Sequence, residues 1–286
     1  MNYDITKYDR PSVAADIVVF TVRKGESESY RHLSKPVLSV LLVRRTEEPF
    51  ENMLALPGGF CCREETIEET AFRKLKEKTG VDSPPLSLLC NLSKLGRDPR
   101  GWIISCCYWT VIAHNRAALG KNAEWFAVSL NEDGGKYTLT LTDDNGRAFV
   151  SEVRIHNPNE LYNQSAEAEI PKNSLAFDHA EIIVNALLKL RSSLEKPYAA
   201  FRLLPERFTL TDLQQVYEAI LDRKLIMRIS GAKSRRMSRR QAESRAAQDT
   251  VPLSFLRRRK RQPIPTPRSE LEQKVMGGSC CPINRS

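Results

Sequence analysis

Hydrophobic and polar positions follow two rhythms along this chain, and the rhythms predict its elements. Residues 16–23 (DIVVFTVR) and 38–44 (LSVLLVR) are short β-branched apolar runs, which predicts two strands. A helix is expected over roughly 66–79, where Ile67, Ala71 and Leu75 recur every four residues and Gly80 supplies the stop. Residues 102–112 (GWIISCCYWTV) predict a strand covered on both faces, because the run is continuously apolar. WFAVSL at 125–130 predicts one more. YTLTLT at 137–142 and FVSEVRI at 149–155 flank Asp144-Asn145-Gly146, and Asn-Gly between alternating runs is a strong hairpin signal. The helical period returns from about Asp178 to Leu194, with Ile183, Ala186, Leu187, Leu190 and Leu194 on one stripe. A last helix is expected at the capping box Thr211-Asp212-Leu213-Gln214, with Leu213, Val216, Tyr217, Ile220 and Leu221 as its apolar stripe. Beyond Leu225 no period is sustained, and no internal repeat is visible.

Length and composition narrow the classes. A chain of 286 residues fits one large or two modest domains, and its 41% apolar share can bury a core, which excludes wholesale disorder. No apolar run reaches the roughly 18 residues of a membrane helix. MNYDITKYDRPS lacks the basic-then-apolar pattern of a signal peptide, so a cytoplasmic location is expected. The seven cysteines include the adjacent pairs Cys61-Cys62, Cys106-Cys107 and Cys280-Cys281 and form no C-x-x-C. They signal neither a zinc cage nor a disulfide framework and are expected to be reduced and mostly buried. The net charge of +9 is a property of the tail: residues 226–286 hold 15 Lys and Arg against four acidic residues. The remainder is nearly neutral.

Residues 56–81, LPGGFCCREETIEETAFRKLKEKTGV, carry the chemistry. They resemble the Nudix box, G-x5-E-x7-R-E-U-x-E-E-x-G-U with U aliphatic. Gly59, Glu65, Arg73, Leu75, Glu77, Gly80 and Val81 fall on the pattern, while Lys74 and Lys78 replace two of its glutamates. In the family those two carboxylates hold the magnesium ions that bridge a diphosphate. Magnesium takes hard oxygen ligands, so two ammonium groups one turn apart would repel it. The resemblance therefore implies a pocket that binds a nucleoside diphosphate derivative without cleaving it. Arg73 and Glu77 are the residual catalytic pair; no metal is expected, or Glu65 and Glu77 as its only ligands. Gly58, Gly59, Glu65, Lys74 and Lys78 are the ligand-binding candidates here, the lysines meeting phosphate by fixed charge. The bland alternative is that both lysines point into solvent.

Two further stretches are similar to ADP-ribose-type Nudix proteins. In Arg97-Asp98-Pro99-Arg100-Gly101 the arginines Arg97 and Arg100 could grip phosphate, or the loop is a solvated turn. In Ala176-Phe177-Asp178-His179, Asp178 is expected to be an N-cap and His179 joins the ligand-binding candidates.

Residues 201–225, FRLLPERFTLTDLQQVYEAILDRKL, resemble the start of the winged helix in Nudix-related transcriptional regulators, whose Nudix-like domain senses ADP-ribose or a sugar-derived ligand. The implied fold class is α/β (α+β): a Nudix α/β/α sandwich with a mixed sheet, then a truncated or frame-shifted winged helix-turn-helix domain. The implied division is a Nudix-like domain over 1–196, a winged-helix start over 197–225, and a basic tail over 226–286, disordered or frame-shifted. In the relatives a recognition helix like D-x-x-x-F-R-R-K-I and a wing like G-H-R-P-A-x-L come next, and neither appears. Shifting the frame so that each wobble base joins the next two bases lets Leu225 through Ser234 encode D-N-A-D-F-R-R-K-I. The same shift lets Ala247 through Ser254 encode A-G-H-R-P-A-Q-L. The alternative is a genuine basic, disordered arm for nucleic acid.

The expected function is a ligand-sensing regulator linked to NAD metabolism. Its expected partners are ADP-ribose or a related nucleotide-sugar, operator DNA in the intact family, and a second copy, since winged helices read paired half-sites. The alternatives are a magnesium-dependent ADP-ribose-type pyrophosphatase and a folded but inert relic. No cofactor is expected unless the chain is hydrolytic.

Overall fold

One long strand, β1 (Ser12–Lys24), organises the sheet. The computed structural model describes residues 4–24, 36–81, 84–114, 118–154, 173–194, 202–204 and 210–223. The chain divides into two units, Met1–Leu225 and Ile226–Ser286, and every described residue belongs to the first. The expectations for the 226–286 tail, its shifted-frame peptides and Cys280-Cys281 lie outside the described residues.

After β1 come β2 (Pro36–Arg44), β3 (Leu54–Ala55), β4 (Gly58–Phe60), α1 (Ile67–Thr79), β5 (Ser87–Leu92) and β6 (Ile103–Val111). They are followed by β7 (Ala123–Asp133), β8 (Lys136–Thr142), β9 (Ala148–Arg154), α2 (His179–Ser193) and α3 (Leu210–Leu221). The sheet order is β5-β6-β1-β2-β7-β8-β9, with β3 added to β2 and β4 to β1. β1 and β6 run parallel and the other pairs antiparallel, so the sheet is mixed. β1 carries both β4, at Ala14–Asp16, and β2, from Phe20 onward, along one edge. That sharing places Gly58 and Gly59 against the start of β1.

Alternate side chains of β1 feed two cores, as the period of a strand requires. Val18 and Phe20 pack with Val40, Leu42 and Phe126, with Ile183 and Leu187 of α2, and with Val216 and Ile220 of α3. Ile17 and Val19 pack on the opposite face with Leu41, Val43 and the α1 residues Ala71 and Leu75. Helices on both faces make the α/β/α sandwich that the box implied. Leu203, Leu204, Val216 and Ile220 are buried in the first of these cores, each contributing on the order of 1.5–3 kcal/mol of apolar burial. The start of the winged-helix segment is thus packed against the sheet. Among the described residues no helix is long and apolar enough to cross a membrane.

The structure departs from the sequence expectations in several places. β1 starts at Ser12, earlier than the apolar run, because parallel pairing with β6 from Ile103 and pairing with β4 hold its first residues. β3, β4 and β5 have no sequence signal: β4 holds two glycines, and β5 is a sheet edge with Ser87, Leu88 and Asn91 exposed. β6 is not covered evenly on both faces, since Ile104, Cys106 and Trp109 are only half-buried. α3 is described over Leu210–Leu221, and the side-chain cap expected at Thr211 lies outside what is described. Of the five described cysteines only Cys107 is fully buried; Cys61, Cys62, Cys90 and Cys106 are half-buried free thiols. Cys61 and Cys62 follow the glycine-containing strand β4, and Cys90 lies in the edge strand β5.

Candidate functional site

α1 presents the box residues because both of its ends are closed locally. Thr66 accepts the Glu69 N–H at 3.2 Å while Glu69 accepts the Thr66 N–H at 2.7 Å, a reciprocal cap. At the other end Gly80, at φ 64°, donates to the Lys76 carbonyl at 2.9 Å. Ala71 and Leu75 point into the core, which turns Arg73, Lys74 and Glu77 toward β4.

Arg73 ties the box together. Its Nε donates to Glu65 Oε2 at 2.9 Å, its Nη2 makes a very short bond to Glu65 Oε1, and its Nη1 reaches Glu77 Oε1 at 3.1 Å. Nη2 also approaches the Phe60 carbonyl at 3.4 Å. Glu65 additionally accepts the Cys62 N–H at 2.7 Å. The Arg73 bonds hold its carboxyl down at about 2. Burial works against ionised Glu77, but bonds from Lys74 and Arg73 prevail and leave its carboxyl below the usual range.

Lys74 does not hang in solvent. Its stem lies over Gly59, where an added Cβ would come within 2.7 Å of Lys74 Cε. Its Nζ donates to Glu77 Oε2 at 2.8 Å. Lys78 is exposed. Gly58 has a different reason to be glycine: a Cβ there would meet the Ala15 carbonyl and Asp16 Oδ1, each at 2.5 Å.

Behind β4 a buried charged network joins β1, the β5–β6 loop and the start of α2. Arg97 Nε and Nη2 clasp the two Asp178 oxygens at 2.8 and 2.7 Å, and Nη2 lies 3.8 Å from Asp16. The Arg97 side chain is only 4% exposed, so it braces the loop and does not offer its guanidinium to a phosphate. Asp178 occupies the N-cap position of α2 but makes no side-chain cap bond; its carboxylate is spent on Arg97. His179 is buried, accepts the Leu56 N–H on Nδ1 at 2.9 Å, and turns Nε2 toward Asp16 at 3.6 Å. This pattern assigns the proton to Nε2. Burial lowers the imidazole's proton affinity, so His179 is a neutral structural link rather than a surface contact.

Arg100 faces outward. Its Nε and Nη2 bind buried Asp98 at 2.9 and 2.7 Å, and its guanidinium lies 4.8 Å from the Phe60 ring and 5.1 Å from the Phe177 ring. Asp98 also borders a cleft of about 350 Å³ lined by Lys94, Leu95, Trp102 and Ile103. The structure therefore brings Gly58, Gly59, Glu65, Arg73, Lys74 and Glu77 together around β4. Arg97 and His179 sit beneath them, with Arg100 at the rim.

The residues present do not suit a divalent cation. Such an ion at the box needs carboxylate oxygens, and both remaining carboxylates, Glu65 and Glu77, are engaged by Arg73 and Lys74. Among the described residues no group of three or more His, Cys, Asp or Glu side chains is placed to hold a metal. At the box the glycine-lined strand β4 therefore faces Arg73 and Lys74, each paired with a carboxylate.

Sequence reasoning missed Asp16, Arg45, Phe60, Asp98 and the pairing role of Asp178. Asp16 had a legible signal, a carboxylate inside the apolar run AADIVVF, since a buried acid demands a partner. Phe60 and Phe177 had none, because their ring positions depend on two loops meeting.

Comparison with known proteins agrees with this architecture. A family model described as NUDIX domain matches residues 13–176, and one described as NrtR DNA-binding winged helix domain matches residues 200–229. The chain is 28% identical over 225 residues to the "ADPR responsive transcriptional repressor NtrR" of Acinetobacter baylyi, covering 78% of this chain and 72% of that protein. It is 35% identical over 118 residues to the "ADP-ribose pyrophosphatase" of Methanocaldococcus jannaschii, covering 37% of this chain and 70% of the relative. The crystal structure of Shewanella oneidensis NrtR superposes with a TM-score of 0.52 at 26% identity, over 81% of this chain and 86% of that one. With a fold, a box and a matched span of this extent, the chain belongs to the NUDIX family and carries an NrtR-type winged-helix segment behind its NUDIX domain.

Proposed function

We propose that this chain is a ligand-sensing transcriptional regulator whose NUDIX unit binds ADP-ribose, or a related nucleoside diphosphate or sugar ligand, without efficient hydrolysis. The observation that carries the reading is the Lys74–Glu77 ion pair at 2.8 Å, formed where the family places magnesium carboxylates. Splitting a diphosphate requires developing charge to be neutralised and a water to be activated, work a bound metal supplies in this family. Loss of that stabilisation costs on the order of 10³-fold in rate. Ground-state binding does not depend on it.

The name of the Acinetobacter relative, an ADPR-responsive repressor, supports the same reading. Operator DNA and a second copy of the chain are its proposed macromolecular partners, with a cytoplasmic location. The proposed division is a ligand-binding domain over 1–196, a winged-helix start over 197–225 and a basic or frame-shifted tail over 226–286. In the ligand set, Gly58 and Gly59 let the chain approach closely. Lys78 and Arg100 supply exposed positive charge, Glu65 and Lys74 shape the box, and Arg97 and His179 hold the loops in place. The similarity to an ADP-ribose pyrophosphatase favours a second reading, a magnesium-dependent hydrolase using Glu77 and Arg73.

Calorimetry of the full chain with ADP-ribose tests the first reading. Saturable binding, with the ligand recovered intact, is expected. No heat of binding at ligand concentrations approaching millimolar would remove it.

A further inference from the structure

Two cysteines face each other across the outermost strand pair at one end of the sheet. Cys90 lies in β5 and Cys107 in β6, and the antiparallel register sets them directly opposite, beside the bulge between Leu88 and Cys90. Directly opposed residues share one face of a sheet. Cys107 is buried in the core that α2 covers, and Cys90 packs against the same core. Opposed Cα atoms in antiparallel strands stand about 4.5 or about 5.5 Å apart, according to the kind of pair. Both separations fall within the span that a disulfide bridges, about 4.4–6.8 Å. Cys106, next along β6, packs against the opposite core with α1 and points away from them.

The two thiols are free, and each is hydrogen-bonded to the other. That bond holds the Cys90 thiol below its ordinary value, against burial and the charges of Glu181 and Asp178, with Arg97 also favouring the thiolate. The same bond, together with burial, pushes the Cys107 thiol up. The pair is therefore polarised, with Cys90 the first to ionise and Cys107 the keeper of its proton. Access follows the same division. Cys107 is fully buried, whereas Cys90 is half-buried on β5, the end strand of the sheet among the described residues. An oxidant needs to reach Cys90 alone.

We infer that Cys90 and Cys107 form a thiol-oxidation site that a peroxide closes to a disulfide. The Cys90 thiolate attacks one oxygen of hydrogen peroxide, forming an S–O bond as the O–O bond breaks. The departing hydroxide takes up the proton that Cys90 had released, giving water. Cys107 then attacks the Cys90 sulfur, forming the S–S bond and breaking the S–O bond. Its thiol proton leaves with the displaced hydroxide as a second water. Two thiols are thereby oxidised by two electrons and one peroxide is reduced by two; a dithiol reverses the change by exchange.

Closure staples the two strands that carry the loop of Arg97 and Arg100, enclosing residues 91–106. Cys107 Sγ lies 3.8 Å from Ser105 Oγ, which donates to Asp16, the neighbour of Arg97 and His179. The oxidation site thus adjoins the buried network beneath the box, and it stands independently of the ligand proposed above.

Treating the full chain with a slight excess of hydrogen peroxide, then alkylating it and mapping its peptides by mass, tests the site. The expected product is a linked peptide pair joining Cys90 to Cys107, absent after dithiothreitol. Amide hydrogen exchange across residues 91–106 is expected to slow in the linked chain. Cys90→Ser is expected to abolish the linkage, and Cys106→Ser to link as the parent does. Cys107→Ala is expected to leave a Cys90 sulfenic acid that dimedone traps; should that variant misfold, the map of the parent beside Cys90→Ser decides alone. Linkage of Cys90 or Cys107 to any other cysteine, or Cys90 oxidised to a sulfinic acid with no linked pair, overturns the site. A linked chain whose exchange is unchanged across 91–106 overturns the stapling of the loop.

Discussion

The Lys74 ammonium stands 2.8 Å from the Glu77 carboxylate, and Arg73 holds the other oxygen of that same group at 3.1 Å. Two cations thus enclose an acid that a hydrolase would spend on metal. Glu65 is likewise taken by Arg73. Two of the box's carboxylate positions are lysines, and the two carboxylates that remain, Glu65 and Glu77, are each bound by a cation.

The two glycines of β4 differ in what an added methyl group would strike. Gly58→Ala meets backbone, the Ala15 carbonyl at 2.5 Å, and is expected to destabilise by about 1–3 kcal/mol. Gly59→Ala meets only the flexible Lys74 stem at 2.7 Å and is expected to cost less than about 1 kcal/mol while displacing Lys74 from Glu77. Urea denaturation of both variants checks this; equal losses would contradict the geometry.

Glu65 titrates at about 2 in the folded chain against an ordinary 4.5, chiefly because Arg73 binds its charged form. A carboxyl held down in this way stabilises the fold above the ordinary value, and the contribution drains away as pH falls from there toward 2. Thermal melts of Glu65→Gln are expected to depend less on pH across that window than those of the parent. Identical slopes would show that the Arg73 pair contributes nothing to acid stability.

His179 behaves with the opposite chemistry. Burial lowers its pKa from 6.5, against the pull of Asp16 and Asp178, with Arg97 and Arg45 adding to the lowering. The unfolded chain therefore takes up a proton that the folded chain refuses, and stability falls as pH drops through 6.5. His179→Asn is expected to be less stable by about 1–3 kcal/mol at alkaline pH. That gap should narrow at acidic pH, because only the parent loses stability there. A gap that widens would place the proton on the folded imidazole.

Arg97 and Asp178 form a buried two-bond pair. Removing either partner leaves the other charge without its main counterpart, an expected loss of about 3–5 kcal/mol. The double variant Arg97→Met, Asp178→Leu is expected to lose much less than the sum of the single changes. Strictly additive losses in a double-mutant cycle would mean that the two side chains do not act as a unit.

Periodicity carried most of the fold. The helices α1 and α2 and the β8–β9 hairpin were legible because each has its own stripe or turn residue, and the box named its loop by spacing. β4 and β5 were hidden because pairing with β1 and β6, not propensity, makes them strands. At the site, Lys74 and Lys78 were visible as substitutions of charge, but their fates were not. Only three-dimensional placement shows Lys74 lying over Gly59 while Lys78 is exposed. Arg97 and Arg100 share one short loop, yet one is buried by Asp178 and the other reaches the rim; sequence spacing has no means of separating them. The Phe177 cluster depends on contacts between residues far apart in the chain, and no local pattern encodes it.

The central claim is that charge at two helix positions decides between binding and cleavage. Incubating the full chain with ADP-ribose and magnesium, beside the variant Lys74→Glu, Lys78→Glu, tests it most directly. The expected result is intact ADP-ribose with the parent chain and release of AMP and ribose phosphate by the double variant. Magnesium-dependent release of AMP by the parent chain would contradict the account.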